Sequence, residues 1–517
     1  MVSSILAARQ EEELHKAIIQ YLEPRLKEST LQQIKNDLEV HDYNTPVMAN
    51  YLEKKWSAVL RLQKRIMELE VETSNLRALV DANDGGSSNG PIGKSLKNGN
   101  WLPQAPLRLF KTQGKQLITA LAIHPRLSQV AIGCANGSLI IWQVTNDSLS
   151  IADKIIPAHL KDIHRLVWSP RSVTLGSKEG YVLASCSSDL TIKLWDEDTY
   201  SQLRVFSGHE HTISGLAFLT NLVGDLYLYS ASRDKTVKTW NISSGNSVRS
   251  FIGHSEWVRD VDAISVDSKL LLIDTSSNSV DQLGDFLLTC SNDQSARLTH
   301  AESGVGLAIL IGHTHVVETA KFLPIHSNIY IDKYLEENPE VYPNIPRGAS
   351  SDPTYINTLG FKYCITGGRD NTIKLWLLPV PTLHPHRSPT IGNPQAYLVV
   401  ELLGHVSWVK SLCVHPNGKY IFSAGDDKTI RVWDLSTLSV GGKVRNIKTL
   451  KAHEGFINDI DFASCMGLEQ EVALARKKGK TYANRSEEHE ELEKIIELKM
   501  RHMFISGGVD NLVNFWG

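Results

Sequence analysis

No C-x-x-C pair occurs among the six cysteines of this 517-residue chain (134, 186, 290, 364, 413 and 465). Widely spaced and mostly set in strand-like runs, they read as small buried hydrophobes of a reduced, cytosolic protein. No apolar run approaches the roughly 20 residues that a membrane-spanning helix requires. Residues 1–20 lack the basic-then-apolar order of a secretion signal. Charge of one sign is missing too: the formal balance of −3 leaves no basic footprint for nucleic acid. Catalytic signatures are also absent, with no nucleophile elbow, glycine-rich dinucleotide loop or H-E-x-x-H. Gly93-Lys94-Ser95 would need a glycine at the place of Ser88 to make a phosphate loop. His384-Pro385-His386 has no third or fourth ligand nearby. The expectation is a non-enzyme without cofactor or metal, with no nucleic-acid partner and no membrane insertion.

What is present is a repeat. Six times an Asp stands six residues before a terminal position: 189, 234, 293, 370, 427 and 510 lead to Trp195, Trp240, Thr299, Trp376, Trp433 and Trp516. Upstream of each lies a histidine (159, 209, 254, 313, 405 and 453) preceded by Gly or Ala. Four residues after each histidine comes a β-branched side chain: Ile163, Ile213, Val258, Val317, Val409 and Ile457. A seventh ending, Ile140 to Trp142, lacks the His and Asp. This is the WD repeat signature, and it predicts an all-β, seven-bladed propeller with four strands, a to d, in each blade. His, Asp and Trp buried together must satisfy one another's polar atoms, which assigns them a structural role. The chain ends directly after Trp516, so the seventh blade lacks its outer strand; residues 107–111 (LRLFK) are expected to supply it and close the ring. Thr299 in place of tryptophan should make blade 4 the loosest.

Four insertions, at about residues 267–284, 325–358, 378–395 and 466–501, break the spacing. Three fall between strands a and b and one between c and d, connections that open on one side, the bottom. The last insertion, a basic run followed by an acidic one, reads as a solvated helix or a disordered loop. The opposite, top face stays compact. Its loops carry Trp257 and Trp408 three residues past their histidines, with Arg259 and Lys410 two further on, and Arg233, Lys235, Arg369 and Lys428 beside the turn aspartates. Aromatic and arginine side chains converging on an open face make a protein-binding hot spot, and the basic charge calls for an acidic partner surface. A blander account has the arginines covering turn ends and the tryptophans capping the channel.

Ahead of the propeller, residues 9–40 have helical periodicity interrupted at Pro24. Ile18, Tyr21 and Leu22 match the I-x-x-Y-L element of the LisH motif, a homodimerisation device in the families that carry it. A heptad segment follows, with Leu52, Val59, Ile66, Thr73 and Val80 at a, and Lys55, Leu62, Leu69 and Leu76 at d. Branched residues at a with leucine at d favour a parallel two-stranded coil. Arg65 with Glu70, and Glu72 with Arg77, pair across it only if two identical chains lie parallel and in register. The alternative is one amphipathic helix packed on the propeller. Residues 81–100 have the composition of a flexible tether. The expected organisation is a LisH-like motif at 1–45, a coiled coil at 48–83, a linker at 84–104 and the propeller at 105–517, with 105–112 as the closing strand.

LisH-like hairpin, parallel coil, tether and seven WD repeats, in that order, resemble the lissencephaly-protein/nuclear-distribution family over nearly the whole chain. Local matches include Ala231-Ser232-Arg233-Asp234-Lys235-Thr236, Glu256-Trp257-Val258-Arg259 and Asp426-Asp427-Lys428-Thr429. The insertions and Thr299 mark a divergent, fungal-type member. The resemblance implies a dimeric, non-enzymatic regulator of cytoplasmic dynein, whose propellers bind the heavy-chain motor ring and the base of its stalk. It places motor contacts on Arg259, Arg369, Trp408 and Lys428, with Arg233 and Trp257 beside them. It further implies roles in nuclear migration and mitotic spindle positioning, a NudE-type coiled-coil adaptor, microtubule plus-end partners, and residence in the cytoplasm and on the cytoskeleton. Two other readings stay open: a substrate receptor of a ubiquitin ligase, and a non-catalytic subunit of a lipid acetylhydrolase.

Overall fold

The computed structural model describes Ile19, residues 28–37 and most of 102–517; outside the description within that last stretch lie 104, 113–115, 126, 128, 145–153, 176–177, 221–225, 266–284, 343–344, 346–360, 381–393, 439–442, 445, 463–503 and 517. Two compact units are distinguished, Met1–Asn98 and Gly99–Gly517. In the first, the described residues are Ile19 and helix α1, Glu28–Asp37. Ile18, Tyr21, Leu22 and every heptad position from Leu52 to Val80 lie outside the described residues.

The second unit is a ring of seven sheets. Six are made in chain order, starting from the inner strands Ile118–Ile123, Ile163–Trp168, Ile213–Thr220, Val258–Ser265, Val317–Phe322 and Val409–Val414. The seventh takes Ile457–Phe462, Phe504–Gly508 and Leu512–Trp516 from the end of the chain, and Arg108–Lys111 from its beginning. That outer strand runs antiparallel to Leu512–Trp516, with Arg108 opposite Phe515 and Lys111 opposite Leu512. The expected closure is therefore observed, and Phe110, fully buried, stacks on Trp142 of blade 1 at 5.2 Å. Leu102, upstream of the closing strand, is already buried against blades 6 and 7.

The core consists of seven layers, one at each junction between blades. Each repeat tryptophan enters the layer shared with the preceding blade: Trp240 meets Val182 and Phe206 of blade 2, and Trp433 meets Tyr363 and Leu375 of blade 5. The β-branched residue four places after each histidine starts an inner strand and is buried to within 1%. Between blades 3 and 4 the layer has no tryptophan, since Thr299 stands where the indole would be.

All four insertions join strands a to b or c to d. The described part of the second holds helix α2, Ser327–Glu337, whose Ile331, Tyr334 and Leu335 pack on Tyr363, Leu377 and Leu435. Ser327 donates from Oγ to the Gly418 carbonyl at 2.6 Å, in the a–b turn of blade 6. These contacts lie at the end of the blades away from the histidine loops. Two c–d connections do something the spacing did not suggest. Gln395 pairs with Ile309 of blade 4, and Lys443–Val444 adds in parallel to Glu401 and Leu402 of blade 5. Each lays a short edge on the preceding blade's outer strand and covers backbone groups there. Among the described residues, no helix is long and apolar enough to cross a membrane.

Candidate functional site

The repeat histidines and aspartates form closed polar networks. In blade 6, His405 Nδ1 lies 2.8 Å from Asp427, and its Nε2 lies 2.7 Å from the Ser423 hydroxyl. That hydroxyl also accepts from Trp433 Nε1 at 2.9 Å. Blades 2, 3, 5 and 7 repeat the arrangement through Ser185, Ser230, Thr366 and Ser506. The hydroxyl residue stands ten positions before each tryptophan, a spacing present in the sequence and overlooked in reading it. Burial pulls His405 below its ordinary value, while Asp427, although buried, is brought down to about 2 by its bonds to His405 and Thr429 and the backbone N–H of Val406. The pair is a neutral imidazole donating to a carboxylate. These hydrogen bonds tie the polar atoms of each network to one another within the blade.

Six turns between strands b and c place the residue after the aspartate in the left-handed region: Leu190, Lys235, Gln294, Asn371, Lys428 and Asn511, with φ between 65° and 72°. Blade 1 has Gly137 there, at φ 81°. Lys235 and Lys428 thus hold a conformation that lysine disfavours, and both are exposed.

On this top face the tryptophans outside the repeat network organise two clusters. Trp257, in the loop entering blade 4, carries the Arg233 guanidinium 3.3 Å from its ring centroid and Arg259 at 5.3 Å. His211 stacks nearby, with centroids 6.4 Å apart. Trp408, in the loop entering blade 6, carries Arg369 at 4.2 Å and Lys410 at 5.3 Å. Trp408 is held by close backbone packing: a Cβ on Gly425 would sit 2.8 Å from its carbonyl oxygen. Glu318 links the clusters. Its carboxylate bonds Arg369 Nε and lies 3.9 Å from Arg259 Nη1. Arg259 Nε also donates to Asn292 at 2.6 Å. Burial, with Arg369 and Arg233 nearby, lowers Arg259 from its ordinary value in spite of Glu318.

Five of the six predicted contact residues, Arg233, Trp257, Arg259, Arg369 and Trp408, therefore form one arc over blades 3 to 6. Lys428 shares the face in blade 6, without a side-chain contact to the arc among the described interactions. Sequence reading missed Glu318, which partly neutralises the basic charge expected there. It also missed Phe456, which follows its histidine by three residues as Trp257 and Trp408 do, and is half exposed. The cation–π stacks are worth about 0.5–2 kcal/mol each. They hold long side chains in one geometry before any partner arrives, which lowers the ordering cost of binding. Trp408 keeps 37% of its surface exposed.

Comparison with known proteins agrees with this architecture. The model of the WD domain, G-beta repeat, matches residues 153–196, 200–241, 245–299 and 396–434. The chain is 51% identical to nuclear distribution protein PAC1 of Debaryomyces hansenii and 49% identical to that of Scheffersomyces stipitis, over 99% of each chain. Identity to the PAC1 of Candida albicans is 46%, again over 99% of both. With the propeller closed as described and similarity of this depth running from end to end, the chain belongs to the fungal nuclear distribution protein PAC1 branch of the lissencephaly-protein family.

Proposed function

We propose that this protein is a non-catalytic regulator of cytoplasmic dynein acting in nuclear distribution, and that the arc from Arg233 to Trp408 is the surface that grips the motor domain. The carrying observation is the arc itself: two tryptophans, each stacked by two cations, joined through Glu318 on the face of the loops that carry the repeat histidines and turn aspartates. Aromatic and arginine anchors of this kind dominate binding energy in protein interfaces. Their net positive charge suits an acidic motor surface and salt-sensitive association. In this reading residues 1–83 pair two chains, through Ile18, Tyr21 and Leu22 in the hairpin and Leu52, Val59, Leu62, Ile66, Leu69 and Leu76 in the coil. The tether then holds a second propeller at high effective concentration once the first has docked. A NudE-type adaptor and plus-end proteins are the further partners, and the cytoplasm and microtubule cytoskeleton the place of action, in nuclear migration and spindle positioning.

Affinity capture with the intact chain followed by mass spectrometry tests the partner. Dynein heavy chain should be recovered with wild type and lost with Trp408→Ala. Recovery of a ubiquitin ligase or a small hydrolase in its place would reject the dynein reading.

A further inference from the structure

The junction between blades 3 and 4 contains a feature that the repeat does not explain. In blades 2, 3, 5, 6 and 7 the indole of the repeat tryptophan fills the corresponding layer and donates to the strand-b hydroxyl. Here Thr299 leaves a cavity of about 20 Å³ among Val237, Phe251, His254, Leu287, Thr289 and Arg297. Such a volume exceeds the roughly 10–15 Å³ needed for one water-sized occupant. Its exposed lining residues are Lys235 and Ile252, which mark the side toward solvent.

Arg297 sits two residues before Thr299 on strand c, so both side chains leave the same face of the sheet. It is 93% buried, and neither its Nε nor its Nη1 has a hydrogen-bond partner. The polar residues at this place in the other blades do find one. Lys193 donates to the Ala158 carbonyl, Lys238 to Ser250, Lys374 to Glu401, Arg431 to Asn446 and Asn514 to the Ala452 carbonyl. The nearby carboxylate of Asp293 is already engaged by His254, Ser255 and Ser295. A buried guanidinium with two nitrogens lacking an acceptor is strongly unfavourable, even with the charge of Asp293 nearby. The lining holds two cations, Arg297 and Lys235, and no carboxylate.

We infer that this cavity is a binding site for a small monoanion, of halide or formate size, held by Arg297 Nε and Nη1 in the place that the tryptophan occupies in other blades. The apolar part of the lining, Val237, Phe251 and Leu287, disfavours larger or doubly charged ions, which would need more donors and counter-charge than Arg297 supplies. Lys235 adds favourable charge at the entrance, tempered by its ion pair with Glu256 at 3.4 Å.

The test uses the full-length chain in sodium gluconate at fixed ionic strength, with gluconate exchanged stepwise for chloride, bromide or formate. Melting temperature should rise saturably by a few degrees in wild type. In Arg297→Met the apparent affinity should weaken at least tenfold. Thr299→Trp, which fills the cavity and keeps the arginine, should abolish the response while remaining folded, and this variant decides the matter if Arg297→Met does not fold. Crystals grown in bromide should show an anomalous peak within hydrogen-bonding reach of Arg297. The inference is overturned if wild type shows no anion dependence, if the dependence persists in Thr299→Trp, or if the bromide peaks lie only elsewhere.

Discussion

Replacing Ser423 with alanine removes one oxygen and should unbalance a whole blade. The Ser423 hydroxyl is fully buried and joins two groups: it accepts from Trp433 Nε1 at 2.9 Å and lies 2.7 Å from His405 Nε2. His405 uses Nδ1 to donate to Asp427, so its Nε2 is the acceptor and the serine proton points to it. Alanine leaves the indole N–H and the imidazole nitrogen both unsatisfied, in a layer buried from solvent. Each orphan costs about 1–3 kcal/mol, so the loss from the two should be about 2–6 kcal/mol. Threonine is the control, because blade 5 uses Thr366 with equivalent distances of 2.7 and 2.8 Å. Urea unfolding followed by tryptophan fluorescence should show a large drop in midpoint for Ser423→Ala and a shift of under about 1 kcal/mol for Ser423→Thr. Equal stabilities of Ser423→Ala and wild type would refute the relay.

Stability should fall in acid in two stages. Burial holds His159, His254 and His405 below the ordinary histidine value, so beneath about pH 6.5 the unfolded chain takes up protons that the native one refuses, and melting temperature should decline from there. Asp427, held at about 2, adds stability above about pH 4 that is lost as the pH drops toward 2; a flat profile from pH 8 to 5 would contradict the first stage. Leu190 has φ 69° at a turn position where blades 5 and 7 use Asn371 and Asn511, so Leu190→Asn should raise stability by about 1 kcal/mol in thermal melts. Removing residues 1–80 should convert a dimer to a monomer in sedimentation and weaken motor binding; a truncated chain that still sediments as a dimer would reject the N-terminal pairing.

The propeller was legible because its constraint is local and periodic. A buried His needs its Asp, and in all but blade 4 a Trp follows that Asp at fixed spacing, so six blades announce themselves. The closing strand was legible from position, since the seventh blade needs an outer strand and residues 107–111 stand just before strand a of the first blade. Which strands the insertions join followed from counting strands. What escaped notice has no repeat-level signal or was masked by commoner residues. The strand-b serines and threonines keep a ten-residue spacing to each tryptophan, yet Ser and Thr are too frequent to stand out. Glu318 lies in an ordinary strand position, and only folding sets it between two arginines from blades 4 and 5. The edge pairings of Gln395 and Lys443–Val444 depend on loop paths that no periodicity specifies. Thr299 was read as a loss of order in blade 4, but the structure adds the buried Arg297 beside the gap, which the single missing tryptophan could not foretell.

Affinity for a purified dynein motor domain, measured at two salt concentrations for wild type, Arg369→Ala with Trp408→Ala, and Lys333→Glu on the exposed side of α2, tests the central claim most directly. The top-face pair should lose at least about 3 kcal/mol of binding, consistent with interface hot spots of about 2 kcal/mol or more each, and the α2 variant should not change. A top-face double variant that binds like wild type, or an α2 variant that does not bind, would contradict the claim.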